Sequence, residues 1–226
     1  MKIILTTGLF LSLVMGAGYA LYAGDNVANT KHNLSASGTG SYKTVSTTEI
    51  CIFCHTPHGG STTAPLWNRI NPAGPYNMYN SPTLDSPIAW SPQGISLVCL
   101  SCHDGTVAFD ALLNKPGSGG GSPSGWEWQI NNHIPAYPPG SYIGTDLSDD
   151  HPISIDYPGA DQETNDFRWA KDPYAANTIR LFNVSTGAPA NQVECASCHN
   201  PHDGTYPPLL RASNSNSELC LACHKK

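Results

Sequence analysis

Apolar and polar residues alternate along this chain without the long single-period runs that build helices. The longest mostly apolar stretch, Ile3–Val14, is interrupted only by two threonines, one glycine and one serine. Lys2 precedes it, and the small residues Gly16-Ala17-Gly18 and then Tyr19-Ala20 follow. That order predicts an export signal over residues 1–23, cleaved after Ala20 or Ala23. The run is too short to cross a bilayer comfortably and no stop-transfer charges follow, so no membrane span is expected in the mature chain. A second short apolar run leads from Thr106 to Leu113. Elsewhere 19 prolines and 21 glycines among 226 residues recur too often for long helices. The fold predicted is mostly irregular coil and turn, with a few short helices and little or no sheet. Residues 24–226 are read as a single domain, with Lys115–Gly125 as its most exposed loop.

The chemistry comes from one five-residue word that occurs four times: Cys51-Ile-Phe-Cys54-His55, Cys99-Leu-Ser-Cys102-His103, Cys195-Ala-Ser-Cys198-His199 and Cys220-Leu-Ala-Cys223-His224. These words use all eight cysteines. Cys-x-x-Cys-His is the attachment signature of c-type haem. The thiols add to the porphyrin vinyl groups, and the histidine is placed under the iron as its proximal ligand. Four words predict four covalently bound haem c groups. About fifty residues per haem are too few for an ordinary core around each, so the haems themselves are expected to supply much of the buried surface. Short helices are expected at the words. The segment 104–194, with Trp126, Trp128, Tyr137, Tyr142, Tyr157, Trp169 and Tyr174, is read as wrapping the haems.

Other uses of the cysteines explain less. Paired Cys-x-x-Cys units could hold two structural zincs, and an exported chain could form disulfides. Neither requires a histidine after every second cysteine. A thiol redox enzyme needs one reactive pair, not four.

Five histidines lie outside the proximal positions: His32, His58, His133, His151 and His202. The first and third words continue alike, as Cys54-His55-Thr-Pro-His58-Gly59 and Cys198-His199-Asn-Pro-His202-Asp-Gly204, an internal repeat. Axial ligands approach an iron from opposite faces, so His58 cannot readily share an iron with His55, nor His202 with His199. Each should reach a neighbouring haem, stapling the first haem to the second and the third to the fourth. The bland alternative is a pair of solvent-facing turn histidines. His151 follows Asp149-Asp150, carboxylates that could orient its ring. Met78 lies among tyrosines and is read as packing rather than as a ligand. Four distal ligands are needed and five candidates exist, so every iron can be bis-histidine, with low potential. No vacancy for a small substrate is forced. That favours electron transfer over catalysis.

Removal of Lys2 leaves 10 basic against 17 acidic residues, a net charge of −7. An acidic unit of this kind should avoid nucleic acid.

The ordered set His32-Asn-Leu-Ser, Cys51…His58, Cys99-Leu-Ser-Cys-His-Asp-Gly-Thr, Asp150-His-Pro-Ile, Cys195…His202 and Cys220…His224 resembles the doubled Cys-x-x-Cys-His multihaem cytochromes. With four words at this length it is most similar to tetrahaem outer-surface cytochromes of metal-reducing bacteria, some of which polymerise into extracellular filaments, or nanowires. The resemblance implies His32, His58, His151 and His202 as distal ligands, with His133 spare. It implies a head-to-tail homo-oligomer in which one distal histidine is donated in trans, an open arrangement. Implied partners are upstream electron-donor cytochromes and external acceptors such as metal oxides. Soluble periplasmic tetrahaem carriers share the same motif and stand as the alternative.

Overall fold

The computed structural model describes residues 26–84, 86–117, 123–136, 140–157, 180–182 and 191–225. The expected export signal over residues 1–23 lies outside these residues, as do Tyr137, Trp169, Tyr174 and part of the Lys115–Gly125 loop.

The chain is mostly coil and turn, as the frequency of proline and glycine requires. Regular elements are short and cluster at the Cys-x-x-Cys-His words. The first word opens with a 3-10 turn, Cys51–Phe53. The second closes helix α1, Gly94–His103. The third forms α2, Cys195–Cys198. The fourth overlaps α3, Glu218–Leu221. The only sheet among the described residues pairs β1, Ile155–Asp156, antiparallel with β2, Gln192–Val193.

The ten-residue α1 is the longest element because Ile95, Leu97, Val98 and Leu100 give it apolar positions beyond the word itself. It stops where Gly105 takes φ +74°, a conformation that glycine adopts without steric cost. A Cβ at Gly105 would lie 2.6 Å from the Tyr142 ring and 2.8 Å from the Ile134 carbonyl oxygen. The backbone after the second word therefore packs flat against the 134–142 segment.

The main hydrophobic cluster gathers around the first word. Leu34, Ile52, Phe53, Phe109, Trp126 and Ile134 are buried together. Phe53, an internal residue of the word, meets Trp126 and Trp128 edge-on at centroid distances of 5.6 and 6.1 Å. Trp128 also contacts Phe109 at 5.4 Å. Among the expected wrapping aromatics, Trp126 and Trp128 thus sit against a haem word.

Residue Asn33 anchors the N-terminal segment. Its side chain donates to the Ala28 carbonyl and Ser37 Oγ, and accepts from Ser35 N and Oγ. It is 1% exposed. The Asn33-Leu-Ser35 sequence is therefore a structural knot that presents His32, not an accessible glycosylation site.

Candidate haem-binding sites

The words are positioned by backbone hydrogen bonds that repeat in the structure. After the first word, Thr56 N donates to the Leu66 carbonyl at 2.9 Å and Asn68 N to the Cys54 carbonyl at 2.9 Å. After the third, Asn200 N donates to Leu209 at 2.8 Å and Arg211 N to Cys198 at 2.8 Å. His55 bridges Trp67, and His199 bridges Leu210. Leu66 and Leu209 both hold positive φ, +60° and +65°. The sequence repeat is thus longer than Cys-x-x-Cys-His-x-Pro-His. It includes a returning strand that begins at Pro65-Leu66 and at Pro208-Leu209. The recurring Pro-Leu pair, ten residues after His55 and nine after His199, was the available signal.

Backbone carbonyls fix three of the rings. A backbone carbonyl can only accept a hydrogen bond, so a ring Nδ1 facing one must carry its proton. His103 Nδ1 donates to the Ser141 carbonyl at 2.7 Å, His199 Nδ1 to Pro208 at 3.1 Å and His151 Nδ1 to Pro152 at 2.9 Å. Each leaves Nε2 with its lone pair free, the tautomer a metal ligand needs.

The histidines also meet in pairs. His32 faces His103 at a ring-centroid distance of 6.0 Å, His55 faces His202 at 6.1 Å, and His151 faces His224 at 6.5 Å. Two imidazoles on opposite sides of one iron, with metal–nitrogen bonds of about 2 Å, have centroids about 6 Å apart. Aromatic edge contacts occur at similar distances. The three pairs share one composition. Each joins one histidine of a Cys-x-x-Cys-His word to one outside the words. No word histidine meets another in this way among the described residues, nor do two of the remaining five.

Burial lowers the pKa of three of these rings. It pushes the pKa of His32 down to about 4, with a further push from His103. It also lowers His55, assisted by His202, and lowers His103. A neutral imidazole is the form that ligates a metal. Two buried polar atoms lack hydrogen-bond partners here, His32 Nδ1 and Trp67 Nε1. The Pro201 carbonyl lies near His32 and favours its proton without forming a hydrogen bond of ordinary geometry. Trp67 stands edge-on to His55 at 6.2 Å, so an unsatisfied N–H donor lies beside a word histidine. The site chemistry fits a porphyrin bearing carboxylates.

His202, which follows the third word and is expected to reach the haem of the fourth, stands against His55 of the first word, while His224 stands against His151. The reason is the docking of α1 on α2. Ser96 Oγ of α1 accepts from Cys195 N at 2.9 Å and donates to the buried carboxylate of Glu194. Ser154 Oγ donates to the same oxygen at 3.1 Å. This knot brings the third word across the second, and its 200–202 turn arrives beside His32 and His55. His58 and His133 are exposed and make no ring contact with another imidazole among the described residues, whereas His199 lies near enough to His32 and His103 to help lower both.

The eight cysteines are all free of disulfides, and their neighbours link the words in order. Cys54 lies near Cys102, and Cys99 shares a hydrogen bond with Cys195. Cys198 lies near Cys220 and Cys223. Burial pushes Cys54 up to about 12 and Cys223 up to about 11, and raises Cys102 and Cys198. Cys99 donates to Cys195 and is raised by that hydrogen bond and by burial, while Cys195 is lowered by accepting it. The raised thiols do not resemble the exposed, low-pKa thiolates of redox enzymes. Among the described residues no three His, Cys, Asp or Glu side chains converge on a metal position.

Residues 188–226 match the family model described as the doubled CXXCH motif, which spans the third and fourth words. No curated protein matches the chain. The matched segment and the words it contains are those of a multihaem c-type cytochrome, a protein with covalently attached haem c that transfers electrons.

Proposed function

We propose that the chain carries four haem c groups, one per word, and conducts electrons along them as a subunit of an extracellular filament. The observation that supports this most is the meeting of three word histidines with three others at 6.0–6.5 Å. In this reading His32 and His103, His55 and His202, and His151 and His224 are axial pairs on three irons. Each pair fills both axial positions, so the role of the protein is to hold haems close and closed to small ligands. Cysteine contacts from the first word to the second, the second to the third and the third to the fourth order the groups as a single path.

His199 belongs to none of these three pairs, and His58 is exposed on the turn after the first word. We assign His58 of a neighbouring subunit as the sixth ligand for the haem of the third word, with His133 spare. That contact runs between two different surfaces and propagates without closing. Export through residues 1–23 delivers the subunit to the cell exterior, where donor cytochromes feed it and acceptors such as metal oxides drain it.

Carbon monoxide tests ligation and assembly together. Reduced filaments should bind none rapidly. Dispersed subunits, or a His58→Ala variant, should bind it at one haem in four while remaining discrete particles. Rapid binding by assembled wild-type protein would remove the bis-histidine reading. A wild-type monomer that binds none would point to a soluble periplasmic carrier with every iron ligated in cis.

A further inference from the structure

Arg69 is the only fully buried Lys or Arg among the described residues, 1% exposed. All its hydrogen bonds go to neutral acceptors. Nε donates to Ser101 Oγ at 3.1 Å, Nη2 to the Ser101 carbonyl at 2.9 Å and the Ala108 carbonyl at 2.9 Å, and Nη1 to the Phe109 carbonyl at 2.7 Å. No described carboxylate pairs with it. A buried, unpaired guanidinium is costly, and for holding backbone together a neutral amide side chain would serve. Asn68, the preceding residue, serves that way, donating to the Ile52 carbonyl at 2.8 Å.

The position of the charge suggests its use. The backbone at Asn68 is tied to Cys54 by a 2.9 Å hydrogen bond. Ser101 lies between Cys99 and Cys102. The guanidinium therefore occupies the seam between the first and second words. Nearby acids are engaged elsewhere. Asp104 is held by Tyr76 Oη at 2.6 Å and by Thr106 N and Oγ1 at 2.8 Å. Asp110 accepts from Trp128 Nε1 at 3.3 Å and from Asn132. Asp104, directly after His103, opposes Arg69 at the second haem. At the first word no buried carboxylate does so among the described residues. At the third word the balance differs, because buried Glu194 adjoins Cys195 and the half-buried Arg211 donates to the Ala196 carbonyl at 2.6 Å.

We propose that Arg69 is a redox-tuning residue: its buried charge raises the reduction potential of the first-word haem and biases electrons toward that end of the path. Reduction adds one electron to an iron centre and lowers its positive charge by one. A fixed cation in a low-dielectric seam favours the reduced form. Because guanidinium does not lose its proton, the bias persists at all physiological pH values. The proposal rests on the tetrahaem reading.

The test is potentiometric titration of the haem-loaded full chain, resolved into four one-electron components, after haem content has been measured by pyridine haemochrome. Fewer than four haems in the unaltered protein would refute the tetrahaem reading itself. With four present, Arg69→Gln should lower one component by tenfold or more in its reduction equilibrium, about 59 mV for one electron. Arg69→Lys, which keeps charge but not the fork of hydrogen bonds, should leave that component near its wild-type value. Ser101→Asp keeps Arg69 and neutralises it, and should reproduce the downward shift. Unchanged titrations in Arg69→Gln and Ser101→Asp would overturn the proposal. So would equal shifts in the Lys and Gln variants, or a parallel fall of all four components. Loss of haem loading in both neutralised variants, with normal loading of Arg69→Lys, would assign Arg69 to assembly and also overturn it.

Discussion

At the scale of single residues, ring contacts divide the nine histidines in a way that sequence alone left open. The proximal four follow from the words. Of the other five, His32, His151 and His202 meet a word histidine, whereas His58 and His133 do not. The count of candidates was legible in the sequence. The partner of each was not, because pairing depends on contacts between segments up to about a hundred and fifty residues apart, such as His55 with His202. One consequence is specific to a residue. His32→Ala should open one axial position at the second-word haem, so that one haem in four of the assembled protein binds carbon monoxide. His133→Ala should leave the reduced spectrum and carbon monoxide response unchanged. Optical titration of the two variants distinguishes a ligand from a bystander.

At the scale of elements, the short helices are consequences of the words and not independent units. Helix α2 has four residues and α3 has four, far below the length at which a helix is stable alone. Their stability comes from tertiary contacts. Proline and glycine frequency made this legible in advance. The Pro-Leu returns after the first and third words were less legible, because a positive-φ leucine carries no propensity signal of its own. Phe53 is 1% exposed and faces both Trp126 and Trp128. Phe53→Ala should cost about 3–5 kcal/mol and show as a lower melting temperature with reduced haem occupancy at the first word. Gly105→Ala meets the Tyr142 ring and an unfavourable φ. It should cost about 1–3 kcal/mol, a fall of about 2–4 °C per kcal/mol for a chain of this size, followed by circular dichroism of the haem-loaded protein.

At the scale of the whole molecule, the described residues carry little ordinary core. Their main buried cluster surrounds the first word, while Trp90 is 88% exposed and Leu66 and Ile70 are more than half exposed. A chain so arranged should depend on its cofactor for cooperativity. The haem-free polypeptide should unfold over a broad range without a sharp transition, whereas the loaded protein should melt cooperatively; calorimetry of both forms checks this. No helix among the described residues is long and apolar enough to cross a membrane.

The most direct measurement is a cryo-electron-microscopy reconstruction of the haem-loaded protein at a resolution that shows axial ligands. Under the proposed function, three irons should be held between His32 and His103, His55 and His202, and His151 and His224 of one subunit. A fourth should be held between His199 and His58 of the neighbouring subunit in a continuous filament. Irons with an open axial position, or any of the three cis pairs divided between different haems, would contradict it.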